Sequence, residues 1–199
     1  MPPLWAVEIV DKPIRFGPQR IVLTQQYLKR HYGIDAKTIE IQPRMIVVHY
    51  TALPTLSASW NAFNPETLPS YRALIGKASR LNVSVHYLVD RDGTIYRLMP
   101  DHWMARHVIG LNHCAVGIEN VGSEDLTPAQ LEADTKLIRY LRRKYPAIRY
   151  LIGHYEYRNF EGSPLWLEKD PGYRTIKKDP GRTFMKALHR RFPDLKSAP

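Results

Sequence analysis

The sequence has one cysteine, few acids for its number of bases, and no long apolar run. Each shortage excludes a class. Cys114 alone cannot form an internal disulfide, and zinc sites built on several thiolates are ruled out. No stretch approaches the roughly 20 apolar residues that a membrane-spanning helix needs, so no integral membrane segment is expected. Met1-Pro2-Pro3-Leu4-Trp5 also lacks the basic and apolar regions of a signal peptide. That fits a cytoplasmic protein, or one whose export signal is absent from this chain. Acids number 19 against 29 Lys and Arg, a formal charge of +10, which favours an anionic partner: nucleic acid, an acidic membrane surface or an anionic wall polymer. The bases are scattered or gathered in Arg142-Arg143-Lys144 and Arg190-Arg191, without the aromatic-studded basic repeats of a single-strand binder. No nucleic-acid partner is expected, and the clusters read as solvated surface.

What is present is enough for one sizeable core: 199 residues, 44% hydrophobic and 11% aromatic. Residues 1–43 read as an N-terminal extension packed on the domain. An extended arm carries Pro2, Pro3, Pro13 and Pro18, and a short helix follows over Gln19 to His31, ending near Gly33. Residues 44–192 form the domain proper, and 193–199 a C-terminal tail. Met45-Ile46-Val47-Val48-His49-Tyr50 is a continuous β-branched run between prolines, the pattern of a strand buried on both faces. Ala52 to Pro65 reads as a surface loop, and Leu68 to Leu81 as a helix with Tyr71, Leu74, Ile75 and Ala78 inward. Val83 to Val89 and Thr94 to Leu98 flank Asp90-Arg91-Asp92-Gly93, a hairpin signature. Ala115 to Glu119 is another short apolar strand, in which Gly117 lets a neighbour approach closely. Thr127-Pro128-Ala129-Gln130 is a capping box opening a helix to about Lys144. Arg149 to Ile152 is a strand leading into Gly153-His154, and Thr183 to Arg191 a closing helix.

Three of these strands end in a polar group: His49, Glu119 and His154. If the first two strands are parallel neighbours, His49 and Glu119 emerge at one sheet edge, where sheet proteins usually place chemistry. A core histidine bonded to backbone is the rival reading of His49 taken alone, and His86 is read either as facing a cleft or as lying beneath it. The loop after His154 contains Asp-Pro-Gly twice, at Asp170 and Asp179. Two histidines and one loop aspartate meet the count of a hydrolytic zinc site, with three protein ligands and an open position. Such a metal activates water at neutral pH and polarises a carbonyl. A carboxylate beside it can carry the proton, and a lysine near the ligand loop can stabilise the developing negative charge. His102, His107 and His113 form a rival cluster, but spacings of 5 and 6 fit neither one helix face nor one strand face.

Ile46-Val47-Val48-His49-Tyr50-Thr51, Val83-Ser84-Val85-His86-Tyr87 with Asp92-Gly93-Thr94-Ile95-Tyr96, Val116-Gly117-Ile118-Glu119-Asn120, Gly153-His154, and Lys177 through Phe184 resemble, in order, the motifs of the N-acetylmuramoyl-L-alanine amidase type 2 family. That family includes the peptidoglycan recognition proteins, and the resemblance spans about residues 44 to 190. It implies an α/β domain with a central mixed sheet flanked by helices, one Zn2+, and hydrolysis of the amide between N-acetylmuramic acid and L-alanine in peptidoglycan or muropeptides. The alternative is a peptidoglycan-binding recognition module without turnover. The resemblance also makes His49, His154 and Asp179 the ligands, Glu119 the general base and Lys177 the transition-state stabiliser, with Tyr50, His86, His107 and Asn112 on the substrate. Asp179 is preferred because Lys177 to Phe184 fits the family's K-x-D-P-G-x-x-F, whereas Asp170 has Glu168 two residues before it and Thr175 in place of the phenylalanine, the pattern of a turn former. The family's Trp-His-Ala-Gly reads Arg106-His107-Val108-Ile109 in this chain. The loop before Asp179 is longer than in compact members; its Tyr155, Tyr157, Phe160 and Trp166 either stack on a sugar or pack the loop, with packing favoured. Taken together, a monomer is expected that acts in the cell envelope, periplasmic or secreted, with the cytoplasm as the alternative.

Overall fold

Met45–Tyr50 forms strand β2, and its apolar run lies between two cores. Met45 and Val47 point into a cluster with Tyr27, Leu28, Tyr157 and Phe160. Ile46 and Val48 point into another with Leu137, Ile138, Leu141, Met185 and Leu188. Burial on both faces is why the run is continuous rather than alternating. The computed structural model describes residues 7–199, with Ala73 and Leu74 described by backbone only. Its elements are β1 (Val10–Asp11), α1 (Pro18–Tyr27), β2, α2 (Leu56–Phe63), α3 (Ala73–Gly76), β3 (Tyr87–Val89), β4 (Ile95–Arg97), β5 (Ala115–Asn120), α4 (Pro128–Lys144), β6 (Tyr150–Gly153) and α5 (Arg182–Arg191). The sheet order is β1-β4-β3-β5-β2-β6. Only the β3/β4 hairpin is antiparallel, so the sheet is mixed, as expected. Among the described residues no helix is long and apolar enough to cross a membrane.

The local signals that held are those with a mechanism. Gly93 closes the hairpin at φ +90, its N–H donating to Asp90 O at 2.9 Å. Thr127 Oγ1 accepts from Gln130 N–H at 3.1 Å while Gln130 Oε1 accepts from Thr127 N–H at 2.9 Å, completing the capping box. Helix α1 continues as a π-helical turn, Leu28–Tyr32, and stops at Gly33 with φ +70, where a left-handed residue ends it.

Three expectations need correction. Ala52 to Pro65 is not a loop throughout, because it contains α2, capped by Thr55, whose Oγ1 accepts from Ala58 N–H at 3.2 Å. The carbonyl end of α2 is held by Arg20, fully buried in α1, which donates to Phe63 O at 2.8 Å and Asn64 O at 3.1 Å. Leu68 to Leu81 is helical only over α3. Its ends pair with each other, Leu68 N–H donating to Arg80 O at 2.8 Å, so the segment closes as a loop. Tyr71 is consequently exposed rather than inward, and the expected placement of Leu74 lies outside the described residues. The arm is not purely irregular, since β1 pairs parallel with β4 at the sheet edge. Pro2 and Pro3 lie outside the described residues.

The long segment after His154 folds over the first core. Tyr157 and Phe160 are buried, and the Tyr157 hydroxyl donates to Thr175 O at 2.7 Å. Trp166 stacks on Tyr157 with centroids 6.0 Å apart and lies so close to Gly110 that a Cβ there would fall 2.6 Å from its ring. These aromatics pack the loop, the favoured reading.

Asp134 of α4 is fully buried beside the end of β5. Its Oδ2 accepts from Asn120 Nδ2 at 3.0 Å, and the same amide nitrogen donates to His49 O at 3.3 Å. Burial pushes the Asp134 carboxyl up to about 7, against the lowering effect of Asn120. A folded-state pKa raised above the unfolded value adds stability below the unfolded pKa, and this is lost as pH rises through about 7. Asp134→Asn removes that loss. At roughly 1.4 kcal/mol per unit of pKa, the rise from 3.8 to about 7 sets an expected gain of up to about 4 kcal/mol at alkaline pH and little near pH 4, read by urea unfolding at both. An Asn variant less stable than the parent at alkaline pH would contradict this.

Candidate metal centre

Strand register assembles the site. β5 and β6 flank β2 on either side, and all three run parallel. His49 pairs with Glu119, and Val48 pairs with Gly153, so His154 follows beside His49 on the opposite flank from Glu119. The two-residue period then places His49 and Glu119 on the same face as Val47. Glycine at 153 is required by crowding: a Cβ would fall 2.7 Å from the Tyr155 ring and 2.9 Å from Met185 Cγ.

Three donor atoms converge. His49 Nδ1 lies 2.9 Å from His154 Nδ1 and 3.1 Å from Asp179 Oδ2, and His154 Nδ1 lies 3.0 Å from the same oxygen. All three residues are nearly buried, His49 at 1%, His154 at 6% and Asp179 at 9% exposed. A proton on one ring nitrogen can aim at a single neighbour and an ionised carboxylate only accepts, so the three contacts cannot all be hydrogen bonds: if both imidazoles donate to Asp179, their own N–H groups face each other at 2.9 Å. One cation satisfies all of them, and two imidazoles with a carboxylate are a zinc donor set. The residues present therefore fit the metal. Among the described residues this is the one group of His, Cys, Asp and Glu atoms gathered this way, and the His102, His107, His113 triplet is not. Asp170 lies outside it: its Oδ1 accepts from Gly172 N–H at 2.8 Å, the turn-forming role expected.

Electrostatics match the geometry. Burial alone would raise the Asp179 carboxyl, but His154 and His49 beside it more than offset this and hold it low. Burial pulls His154 down to about 3 despite Asp179. For Glu119, burial and then Asp179 push the carboxyl well above its ordinary range, opposed by Lys177 and Arg72. Its Oε2 is buried without a partner. A carboxylate raised this way is a stronger base than an ordinary one, which suits it to take a proton from water.

The four expected substrate residues divide. Tyr50 is half-buried, one residue after His49, its hydroxyl pushed up by burial and by Asp179. His107 lines a cleft with Ile75, Val83, His154, Thr175 and Lys177. His86 is corrected from a substrate contact to the other of its two readings, a residue beneath the site: it is fully buried, its Nδ1 accepting from Gly117 N–H at 2.9 Å and its Nε2 donating to Trp103 O at 2.8 Å. Both nitrogens are used inside the fold. Asn112 is a correction for the same reason. Its Oδ1 accepts from the backbone N–H of His107 and of Val108, each at 2.8 Å, and its Nδ2 donates to Tyr32 at 2.9 Å, so it shapes the turn that carries His107.

Two residues escaped the sequence reading. Arg72 lies close enough to Glu119 to act on its charge. Arg106 is buried with cleft-lining backbone around it, donating to Ile75 O at 2.8 Å and Ser79 O at 3.1 Å and to the Tyr173 hydroxyl at 2.9 Å. Its departure from the family's tryptophan was the available signal.

The family model described as N-acetylmuramoyl-L-alanine amidase matches residues 40–182. The chain is 31% identical over 132 residues to the 1,6-anhydro-N-acetylmuramyl-L-alanine amidase AmpD of Salmonella typhimurium, covering 59% of this chain and 70% of that one. The fold is similar to that of the amidase LysC from Clostridium intestinale, with a TM-score of 0.61 and 21% identity over 96% of this chain and 100% of that one. It is also similar to bumblebee PGRP-SA, at 0.57 and 19% over 98% and 100% of the two chains.

Proposed function

Because the chain belongs to the N-acetylmuramoyl-L-alanine amidase family, we propose that it is a zinc-dependent amidohydrolase cleaving the bond between N-acetylmuramic acid and L-alanine in peptidoglycan or soluble muropeptides. The observation that carries this reading is the convergence of His49 Nδ1, His154 Nδ1 and Asp179 Oδ2 beside the register-matched Glu119. When bound, zinc would supply the polarisation of the amide carbonyl and the activation of water at neutral pH. Glu119 takes the proton of the attacking water and returns it to the alanine nitrogen as the C–N bond breaks. Lys177, on the cleft wall, stabilises the negative charge that develops on the carbonyl oxygen. Tyr50 and the cleft face of His107 are the proposed substrate contacts. The name of the Salmonella relative makes a 1,6-anhydro-muropeptide the first substrate to try. The proposed place of action is the cell envelope, where a chain of charge +10 meets anionic wall material, with cytoplasmic muropeptides as the alternative.

Likeness to a recognition protein supplies the second reading, a binding module without turnover. Incubation with an anhydro-muropeptide and mass analysis of the products separates the two. Free stem peptide and a peptide-free muramyl sugar are expected. Saturable binding of an intact muropeptide, with no peptide released in the presence of zinc, would select the binding module.

A further inference from the structure

His107 uses both ring nitrogens on the protein. Nε2 lies 3.3 Å from Ala115 O, and Nδ1 lies 3.0 Å from His49 Nε2. A carbonyl oxygen can only accept, so the proton of the neutral ring sits on Nε2, and Nδ1 presents a lone pair. His49 must then carry its own proton on Nε2 to donate to His107. His49 Nδ1 is left facing His154 Nδ1 and the Asp179 carboxylate, which can accept a proton from it at 3.1 Å when no cation lies between them. The order runs one way along the chain of bonds: His49 Nε2–H to His107 Nδ1, and His107 Nε2–H to the Ala115 carbonyl.

Gly117 makes the arrangement possible. A Cβ there would fall 2.8 Å from His107 Nδ1 and 2.8 Å from Val85 Cγ2, so any side chain displaces the ring or the valine. The same residue's N–H fixes His86, whose ring meets that of His107 edge-on at 5.8 Å. His154 has no such support. Its Nε2 is buried without a protein partner, so the tautomer of only one of the two histidines is set from within the fold.

We propose that His107 is a positioning residue that fixes His49 in the Nε2–H tautomer, leaving Nδ1 as the ligand atom. An outer partner of this kind sets which nitrogen is available and how the ring is oriented. The role toward a metal rests on the zinc reading above, whereas the proton on His49 Nε2 is set by His107 with or without a cation at Nδ1.

The test uses nitrogen-15 imidazole spectra of metal-free protein together with zinc affinity by chelator competition. His107→Phe keeps the ring's shape and removes the acceptor. In His107→Gln the side-chain amide replaces both bonds, its oxygen accepting from His49 and its NH2 donating to Ala115 O. His49 of the parent should be protonated at Nε2 throughout, and that of His107→Phe a mixture of rings with Nε2 protonated and Nε2 bare. Zinc affinity should fall about 10–100-fold in His107→Phe and recover in His107→Gln. Gly117→Ala should reproduce the mixture with His107 still present. An unchanged His49 tautomer in a folded His107→Phe protein would overturn the proposal. If the parent bound no zinc while its His49 spectrum responded as expected, the zinc reading would fail and the positioning role would stand.

Discussion

Asp179→Ala should abolish tight zinc binding and muropeptide hydrolysis together, while Asp170→Ala leaves both near the parent level. Both aspartates sit in Asp-Pro-Gly within one loop, yet their surroundings differ completely. Asp179 Oδ2 touches two buried imidazole nitrogens at 3.0 and 3.1 Å. Asp170 is spent on the N–H of Gly172 and stands away from the cluster. Removing a charged ligand costs more than the roughly 10–100-fold in affinity that follows loss of a ligand's hydrogen-bond partner. The expected drop for Asp179→Ala is therefore beyond a hundredfold, read by chelator competition, with peptide release falling in parallel. Asp170→Ala loses only a turn bond, worth about 1 kcal/mol of stability, and should keep its zinc. A reversed pattern would mean that the two motifs had been assigned the wrong way round.

The second large effect is Glu119→Gln. The neutral amide keeps the shape but cannot take a proton, and general acid–base catalysis contributes about a hundred- to ten-thousandfold in rate. The turnover number should fall by that factor with zinc retained, since Glu119 is not among the converging ligand atoms. Stability should move the other way. Burial and Asp179 both disfavour the charged form of Glu119, and its Oε2 has no partner, so a neutral side chain relieves an unfavourable site. The metal-free variant should melt a few degrees higher, each kcal/mol being worth about 2–4 °C in a chain of this size. A variant that lost zinc along with activity would move Glu119 from proton carrier to ligand.

The parts legible in the sequence are those with a period or a local rule. β2, β5 and β6 are short apolar runs each delivering a polar group, and parallel pairing then brings His49, Glu119 and His154 to one edge. Spacing alone left Asp170 and Asp179 open, and the flanking Lys177 and Phe184 separated them. The illegible parts depend on polar residues satisfied at long range. Arg20 closes the end of α2 from 43 residues away, and without that contact Ala52 to Pro65 has the composition of a loop. His31 reaches Glu168 across 137 residues, its Nδ1 2.8 Å from the carboxylate, and so ties the end of α1 to the long loop. His86 and Asn112 look like site residues because polar groups near a motif usually face solvent. Their burial goes with backbone groups at Gly117, Trp103, His107 and Val108 that their side chains satisfy. The bond between His49 and His107 spans 58 residues and depends on a missing side chain at Gly117.

Zinc titration of activity tests the central claim most directly. Protein stripped by a chelator is given an anhydro-muropeptide, and released stem peptide is followed as zinc is added back in known molar ratio. Release should begin from essentially nothing, rise linearly and saturate at one zinc per chain. Full hydrolysis by the stripped protein, or no hydrolysis at any zinc level while a muropeptide still binds, would contradict it.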